Sequence, residues 1–415
     1  MKIFIISCVF PPEALTTAST SADVAEEMVR RGHEVIVFAP FPNRPSGCLM
    51  DGYARKWRQI EYKNGYKLVH TWHTLSERSN FFSRTSENIS FGLTSTWQIL
   101  KEKSPDIVYM NTWPLFSQNL NSWFLKRAGV PMVSSVQDIY PEILTGNDLL
   151  KSNWIYSLIR RANIRHLHRC SVITTISTGM MRLLIKDRAL PPERVKYIPN
   201  WMDTSIFLSN QPQNGPFRQK LGVGSEVFLA IFAGGLTMAA GVNLYVKVAE
   251  KLFHRTDIRI LLVGDGSVRE KLEKDIASLQ LKNLQVIYPL RSGQVPQVQA
   301  AADVLLLSLS GEMSQSAAPS KLIAYMLSGR PVIASISAKN AVGQILIEAD
   351  AGFVLPPDDP QAVADLLIRL AEDRSSLQRL GENARRYAKD NFSKHVLLPR
   401  LADLLESIGS SKPSF

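Results

Sequence analysis

Cysteine is scarce: Cys8, Cys48 and Cys170 are the three in 415 residues. An odd number at wide spacing builds no disulfide framework and suits a reducing compartment, so a cytoplasmic protein is expected. Long hydrophobic runs are missing too, and no stretch approaches the roughly 18 apolar residues of a membrane span. The opening run Ile3–Phe10 is short, is stopped by Pro11-Pro12 and is followed by no small-residue cleavage pattern. It therefore reads as a buried strand and not as a signal peptide. His166-x-His168-x-Cys170 lacks a second cluster that would complete a metal site, and reads as the basic end of a helix. There is no zinc-finger spacing and no interleaving of aromatic and basic residues, so nucleic acid is not an expected partner. Acidic residues are in deficit, 37 against 48 Lys and Arg, which leaves a net charge of +11. Residues 1–210 carry most of that excess, 25 basic against 17 acidic, with the densest cluster at Arg160–Arg169. A basic first half suits acidic lipid surfaces or phosphorylated substrates.

What is present is an alternation of apolar strands and amphipathic helices from end to end, the pattern of parallel sheets covered on both faces. Ile3–Cys8, Glu34–Ala39, Lys67–His70, Ile107–Met110, Met132–Val136 and Val172–Ile176 are predicted strands of a first half. Ser19, Thr20 or Ser21 is expected to cap the first helix, and Gly32 to end it. Asp51–Ser104 has weaker periodicity; its Trp72, Phe81, Phe82, Phe91 and Trp97 are expected in the core, with an acceptor groove as the other reading. The breaker-rich Gln211–Pro216 reads as a linker. Strands Val227–Ala233, Ile258–Val263, Leu284–Ile287, Asp303–Leu307, Pro331–Ala334 and Gly352–Val354 follow, and Ala362–Ile408 is helical with a break near Asp390–Ser393. At about 150 residues per domain, two or three domains are expected, and the pattern divides the chain into residues 1–205, residues 206–393, and a terminal segment 394–415 crossing back to the first. The predicted class is α/β, two Rossmann-like domains facing across a cleft, with ligands beyond the carboxyl ends of the strands.

The most informative segment is Ala318-Pro319-Ser320-Lys321-Leu322. A polar loop enters a short helix that Ser320 can cap, and Lys321 adds a full charge to the partial positive charge and free N–H groups of a helix start. That combination suits a diphosphate. Gly264-Asp265-Gly266 reads as a turn and helix cap beside the same cleft, or as a direct contact to the ligand. Asp138 and Glu142 follow a strand at the cleft and either position a hydroxyl or cap a helix. Ser177 and Thr178 read as a helix cap, and Asn200 and Asp203 as ties at the hinge between domains.

Six segments in chain order carry a resemblance: Arg31-Gly32-His33-Glu34-Val35, Phe41–Gly47, Val136–Glu142, Ile198–Asp203, Val263–Gly266 and Pro319-Ser320-Lys321. Together they resemble the family-4 retaining glycosyltransferases of GT-B fold, in the subgroup that builds bacterial surface polysaccharides of the colanic acid and O-antigen type. The resemblance covers nearly the whole chain. It implies a hexosyl- or N-acetylhexosaminyltransferase that takes a UDP-sugar in the second domain and a lipid-linked or polysaccharide acceptor in the first. It implies no metal and no cofactor, in keeping with the absence of an Asp-x-Asp pair, and a location in the cytoplasm or at the inner face of the membrane. The residues carried over as catalytic are Lys321, Asp138, Glu142 and Gln137. Donor contacts fall on Gly234, Gly235, Gly264, Asp265, Gly266, Leu290, Arg291, Pro319, Ser320 and Leu322, and acceptor contacts on Ala14, Leu15, Thr16 and Thr17. The chain departs from the family pattern at Gly235 and Ala240, where basic residues are usual, at Ser316 and Ala324, where two glutamates are usual, and at Gln137, where many relatives have histidine. Those departures support a second expectation, a catalytically degenerate GT-B protein that binds a nucleotide, a glycan or a partner subunit.

Overall fold

The structure is a computed structural model and describes residues 1–13, 15–44, 46–77, 81–111, 115–142, 153–207, 216–288, 293–309 and 320–411. The chain divides into two compact units, Met1–Trp201 with Leu397–Phe415, and Met202–Val396.

In the first unit the strands are β1 (Lys2–Ser7), β2 (Glu34–Pro40), β3 (Arg58–Lys63), β4 (Tyr66–Thr71), β5 (Ile107–Asn111), β6 (Met132–Val136), β7 (Val172–Thr175) and β8 (Val195–Tyr197). Its helices are α1 (Thr16–Arg30), α2 (Phe81–Ile99), α3 (Leu115–Arg127), α4 (Asn153–Arg169) and α5 (Thr178–Asp187). Among the described residues they form an eight-stranded sheet in the order β3-β4-β2-β1-β5-β6-β7-β8, parallel except for β3. β1 lies in the interior of the sheet, which is why Ile3–Ile6 are wholly buried.

The pair β3 and β4 is a hairpin that the sequence reading passed over. Lys63 opposes Tyr66 across Asn64-Gly65, both at positive φ (50° and 86°). These are the residues a two-residue hairpin turn requires. Two further expectations are corrected. α1 begins at Thr16 after Leu15, with no side-chain cap, so Ser19, Thr20 and Ser21 lie inside the helix. Of the aromatic residues assigned to the core, Phe91 is buried and Trp72 half-buried, but Phe82 is 72% exposed and Trp97 54% exposed. Gly32, at φ 85°, ends the first helical segment as expected, and Ser177 caps α5 by accepting from the Met180 amide at 3.1 Å.

The second unit contains β9 (Phe228–Ala233), β10 (Ile258–Val263), β11 (Leu284–Ile287), β12 (Val304–Ser308), β13 (Val332–Ser335) and β14 (Gly352–Leu355). Between and after them run α6 (Pro216–Lys220), α7 (Leu244–Lys251), α8 (Arg269–Ser278), α9 (Val295–Ala300), α10 (Ser320–Leu327), α11 (Ala341–Glu348), α12 (Pro360–Glu372), α13 (Leu377–Phe392) and α14 (Lys394–Ser410). Among the described residues the sheet is wholly parallel in the order β11-β10-β9-β12-β13-β14. In sequence rank that is 3-2-1-4-5-6, the dinucleotide-binding order, whose switch point lies between β9 and β12. Buried apolar clusters cover both faces of this sheet.

α14 leaves the second unit and packs Leu397, Leu398, Leu401, Ala402 and Leu405 into the core of the first, against α1 and β1. Arg31 there binds Asp403 at 2.7 Å and Glu406 at 2.8 Å, and His33 binds Glu406 at 2.7 Å. No helix among the described residues is long and apolar enough to cross a membrane.

Candidate nucleotide-diphosphate site

The site is built at the switch point of the second unit. After β9 the chain turns at Gly234 (φ 150°), and after β10 at Gly264 (φ 147°), backbone angles that side-chain-bearing residues rarely adopt. The two turns lie backbone on backbone. A Cβ on Gly264 would stand 2.1 Å from the Gly234 carbonyl oxygen, so no side chain fits there. The amides of Gly234 and Leu236 donate to Val263 and Asp265, and Val268 donates back to Leu236. Ser308, at the end of β12, donates to the Ala240 carbonyl at 2.6 Å and holds the far side of the β9 loop.

Over this floor passes Lys321, in the first turn of α10. Its Nζ lies 3.9 Å from the Phe232 ring centroid and 2.8 Å from the point a Gly234 Cβ would occupy. Gly234 is therefore bare for two reasons, the φ of its turn and the lysine stem above it. Tyr325, one helical turn on, fixes the distance: its hydroxyl accepts from the Ala233 amide at 2.8 Å and donates to the Ala233 carbonyl at 3.0 Å. α10 is thereby pinned to the last residue of β9. Burial pushes the Lys321 amine down to about 8. Among the described residues no carboxylate pairs with it, and its ammonium lies over the face of the Phe232 ring. A half-buried cation with no described counter-ion, in the first turn of a helix, suits an anion.

The other expected donor residues divide. Asp265 is engaged: its carboxylate accepts from the Gly266 amide at 2.8 Å and from Arg269 at 2.9 Å, and those bonds hold it below the usual carboxylate range. It serves the turn, and Gly266 with it. Among the described residues, only Thr237 lies near an added Cβ on Gly235. The side chain of Leu322 is fully buried in the core, which leaves its backbone to meet a ligand. Ala324 is 8% exposed on the same helix. Leu290, Arg291 and Pro319 lie outside the described residues, as does Ser316, and of Ser320 only its place as the first residue of α10 is described. Sequence reasoning missed Phe232 and Tyr325. The signal for Tyr325 was its spacing, four residues after Lys321 and so on the same helix face.

In the first unit the expected residues stand at the carboxyl ends of β1 and β6. Gln137 is engaged: its amide donates to Ser135 at 3.0 Å and accepts from Asn200 at 2.9 Å, tying β6 to the segment after β8. Glu142 accepts from the buried Arg188 at 2.5 and 2.7 Å, and Arg188 also reaches the Tyr140 carbonyl. Glu142 thus neutralises a buried guanidinium. Glu142→Gln is expected to lower stability by about 1–3 kcal/mol, because half of a charge-assisted pair is lost. Thermal melting reads that loss, and nucleotide titration of the same variant should match the parent. Asp138 is half-buried and its carboxyl is raised by burial, with no hydrogen-bond partner among the described residues. Of these residues it is the group free to accept a hydroxyl proton. Ala14 lies outside the described residues, and of Thr16 only its place as the first residue of α1 is described. The carbonyls of Leu15 and Thr17 are occupied within α1 and by Asn111. Glu13, not singled out from the sequence, is buried and accepts from the amides of Phe10, Asn43 and Arg44, which shapes this loop. Among the described residues no three His, Cys, Asp or Glu side chains gather into a group that could hold a metal ion.

A Rossmann-ordered parallel sheet with glycine turns at its switch point, and an ammonium that no described carboxylate neutralises, defines an α/β protein with a candidate anion site. Residues 18–206 match Glycosyltransferase Family 4 and residues 214–387 match Glycosyl transferases group 1. The chain is 23% identical over 408 residues to the putative colanic acid biosynthesis glycosyl transferase WcaI of Escherichia coli, covering 96% of this chain and 98% of that protein. It is 25% identical over 306 residues to the probable glycosyltransferase WbjE of Pseudomonas aeruginosa, 73% of each chain. The crystal structure of Anabaena HepE in complex with UDP superposes with a TM-score of 0.72 at 16% identity, covering 98% of this chain and 100% of that one. The chain belongs to the family-4 glycosyltransferases and has the GT-B fold.

Proposed function

We propose that this glycosyltransferase moves a hexosyl or N-acetylhexosaminyl group from a UDP-sugar to a lipid-linked or polysaccharide acceptor, with retention of configuration and without a metal ion. The observation that carries the reading is the Lys321 ammonium beside Gly234 with no described counter-ion. The bond from the anomeric carbon to the β-phosphate oxygen breaks, and its electron pair passes to the diphosphate. Lys321 and the α10 helix start meet that growing charge. The acceptor hydroxyl attacks on the face the diphosphate leaves, and its proton passes to the departing phosphate oxygen. The acceptor is assigned to the first unit, where Asp138 is open to a hydroxyl. HepE is named in complex with UDP and with UDP-glucose, which supports UDP as the nucleotide. WcaI and WbjE are named as glycosyltransferases, the former of colanic acid biosynthesis, which supports a glycan acceptor. We place the reaction at the inner face of the membrane, where lipid-linked acceptors meet soluble donors.

The test is UDP release from a panel of UDP-hexoses and UDP-N-acetylhexosamines with a polyprenyl-diphosphate sugar as acceptor, the product anomer read by NMR. UDP release with an anomer matching the donor is expected. Binding of UDP without release across the panel would favour the second reading, a degenerate binder, for which the uncharged Ala240 and buried Ala324 speak. No UDP binding at millimolar concentration would remove both.

A further inference from the structure

We infer that the outer face of α2, α3 and α4 seats the protein on an anionic lipid bilayer. α2 is built inside out. Its exposed row holds Phe82, Ile89, Leu93 and Trp97, with Leu100 directly after it. Its inward side buries Ser90, Thr94, Ser95, Thr96 and Gln98 beside Phe91 and Ile99. α3 repeats the trend, exposing Phe116 and Trp123 while burying Ser117, Gln118, Asn121 and Ser122 along with Leu125.

The contact between these two helices is small and polar. Gly92 lies against Ser117, with room for no side chain (2.9 Å from an added Cβ to the Ser117 Cα). Thr96 donates to Asn121 at 2.7 Å, and Asn121 donates to Ser95 at 3.2 Å. In water, helices bury apolar residues between them. Small residues with interhelical hydrogen bonds inside and large apolar groups outside is the arrangement used where the outside is lipid. α3 packs on α4 in turn, and α4 exposes Trp154 (68%) and Leu158.

Charge selects the kind of lipid. α3 and α4 contain no Asp or Glu, but they hold Lys126, Arg127, Arg160, Arg161, Arg165 and Arg169. Arg127 lies over Trp123 at 4.5 Å and Lys101 over Trp97 at 5.0 Å. Each pair sets a ring for the acyl boundary beside a cation for a phosphate, as at an interface. The 19-residue α2 lies along such a surface, since no described helix is apolar enough to span it. A second copy of the chain is disfavoured as the occupant. A two-fold interface repeats the same patch on both sides, and α3 and α4 have no acid to set against their own cations.

The inference deepens the placement at the membrane and leaves the chemistry aside, because vesicle binding is measured without donor or acceptor. The full chain is floated with vesicles of phosphatidylglycerol or of phosphatidylcholine. It is expected to float with the first, with at least about tenfold weaker binding to the second and in high salt. Its tryptophan emission should shift to the blue on binding. Leu93→Ser with Trp97→Ser, and separately Arg161→Glu with Arg165→Glu, should each weaken flotation at least about tenfold. These side chains are exposed, so melting temperature and UDP titration should stay at parental values and report that the variants are folded. Failure of the parent to float with phosphatidylglycerol, or variants that float like the parent, would overturn the inference. So would a dimer in solution that Trp97→Ser dissociates.

Discussion

Lys321→Met is expected to slow sugar transfer by about 10²–10³-fold, the usual loss of one donor aimed at developing charge, and at the same time to raise the melting temperature of the ligand-free protein. The two effects have one cause. The ligand-free fold holds a cation over Phe232 and Gly234 with no described carboxylate beside it, and burial pushes its amine down to about 8. The folded value lies below the unfolded one, so burial of the charge opposes folding. Its full penalty stands at pH 7, where both states are protonated, and is relieved as pH rises from about 8 toward the ordinary lysine value. That penalty is on the order of 2–3 kcal/mol, less about 1 kcal/mol for the cation–π contact that methionine gives up. A net gain of about 1–2 kcal/mol corresponds to a rise of several degrees for a unit of this size. Methionine has similar length and fills the same path over Gly234. Initial rates and ligand-free melting curves at pH 7 decide the matter. A surface lysine with no part in the site would give an unchanged rate and an unchanged melt.

The alternation of buried strands and helices was legible because central parallel strands read as unbroken apolar runs, as in Ile3–Ile6 and Leu305–Leu307. The glycine turns after β9 and β10 were legible as well, since little but glycine suits their φ. Strand order was not: nothing local in Phe228–Ala233 says that it neighbours β12, and that adjacency brings Lys321 over Gly234. The β3–β4 hairpin carried its signal in Asn64-Gly65, but β3, at the sheet edge, is largely exposed and lacks the apolar run that marked the other strands. α2 misled for a sharper reason. Assigning Phe82 and Trp97 to the core assumes that the outside is water. Gln137 and Glu142 lay where the family pattern put functional side chains. Their partners, Asn200 and Arg188, come from distant parts of the chain and could not be read from the motif.

UDP affinity is expected to fall about tenfold per pH unit above pH 8, until the amine titrates in the complex as well. Below about 8 the Lys321 amine of the free protein is charged and ready for the diphosphate. A bound diphosphate raises its pKa again by supplying the opposite charge that the site lacks. Between the two values the free protein has lost its proton and the complex has kept it, so binding takes a proton from solution and weakens as protons become scarce. Over the same range this group makes the free fold more stable, so unfolding cannot counterfeit the loss of affinity. Calorimetry in two buffers of different ionisation enthalpy should count no proton taken up at pH 7 and nearly one at pH 9. Lys321→Met should show weak binding with no such dependence. An affinity that stays level through pH 10 would mean that the cation over Gly234 does not meet the nucleotide, and the leaving-group role assigned to it would go with it.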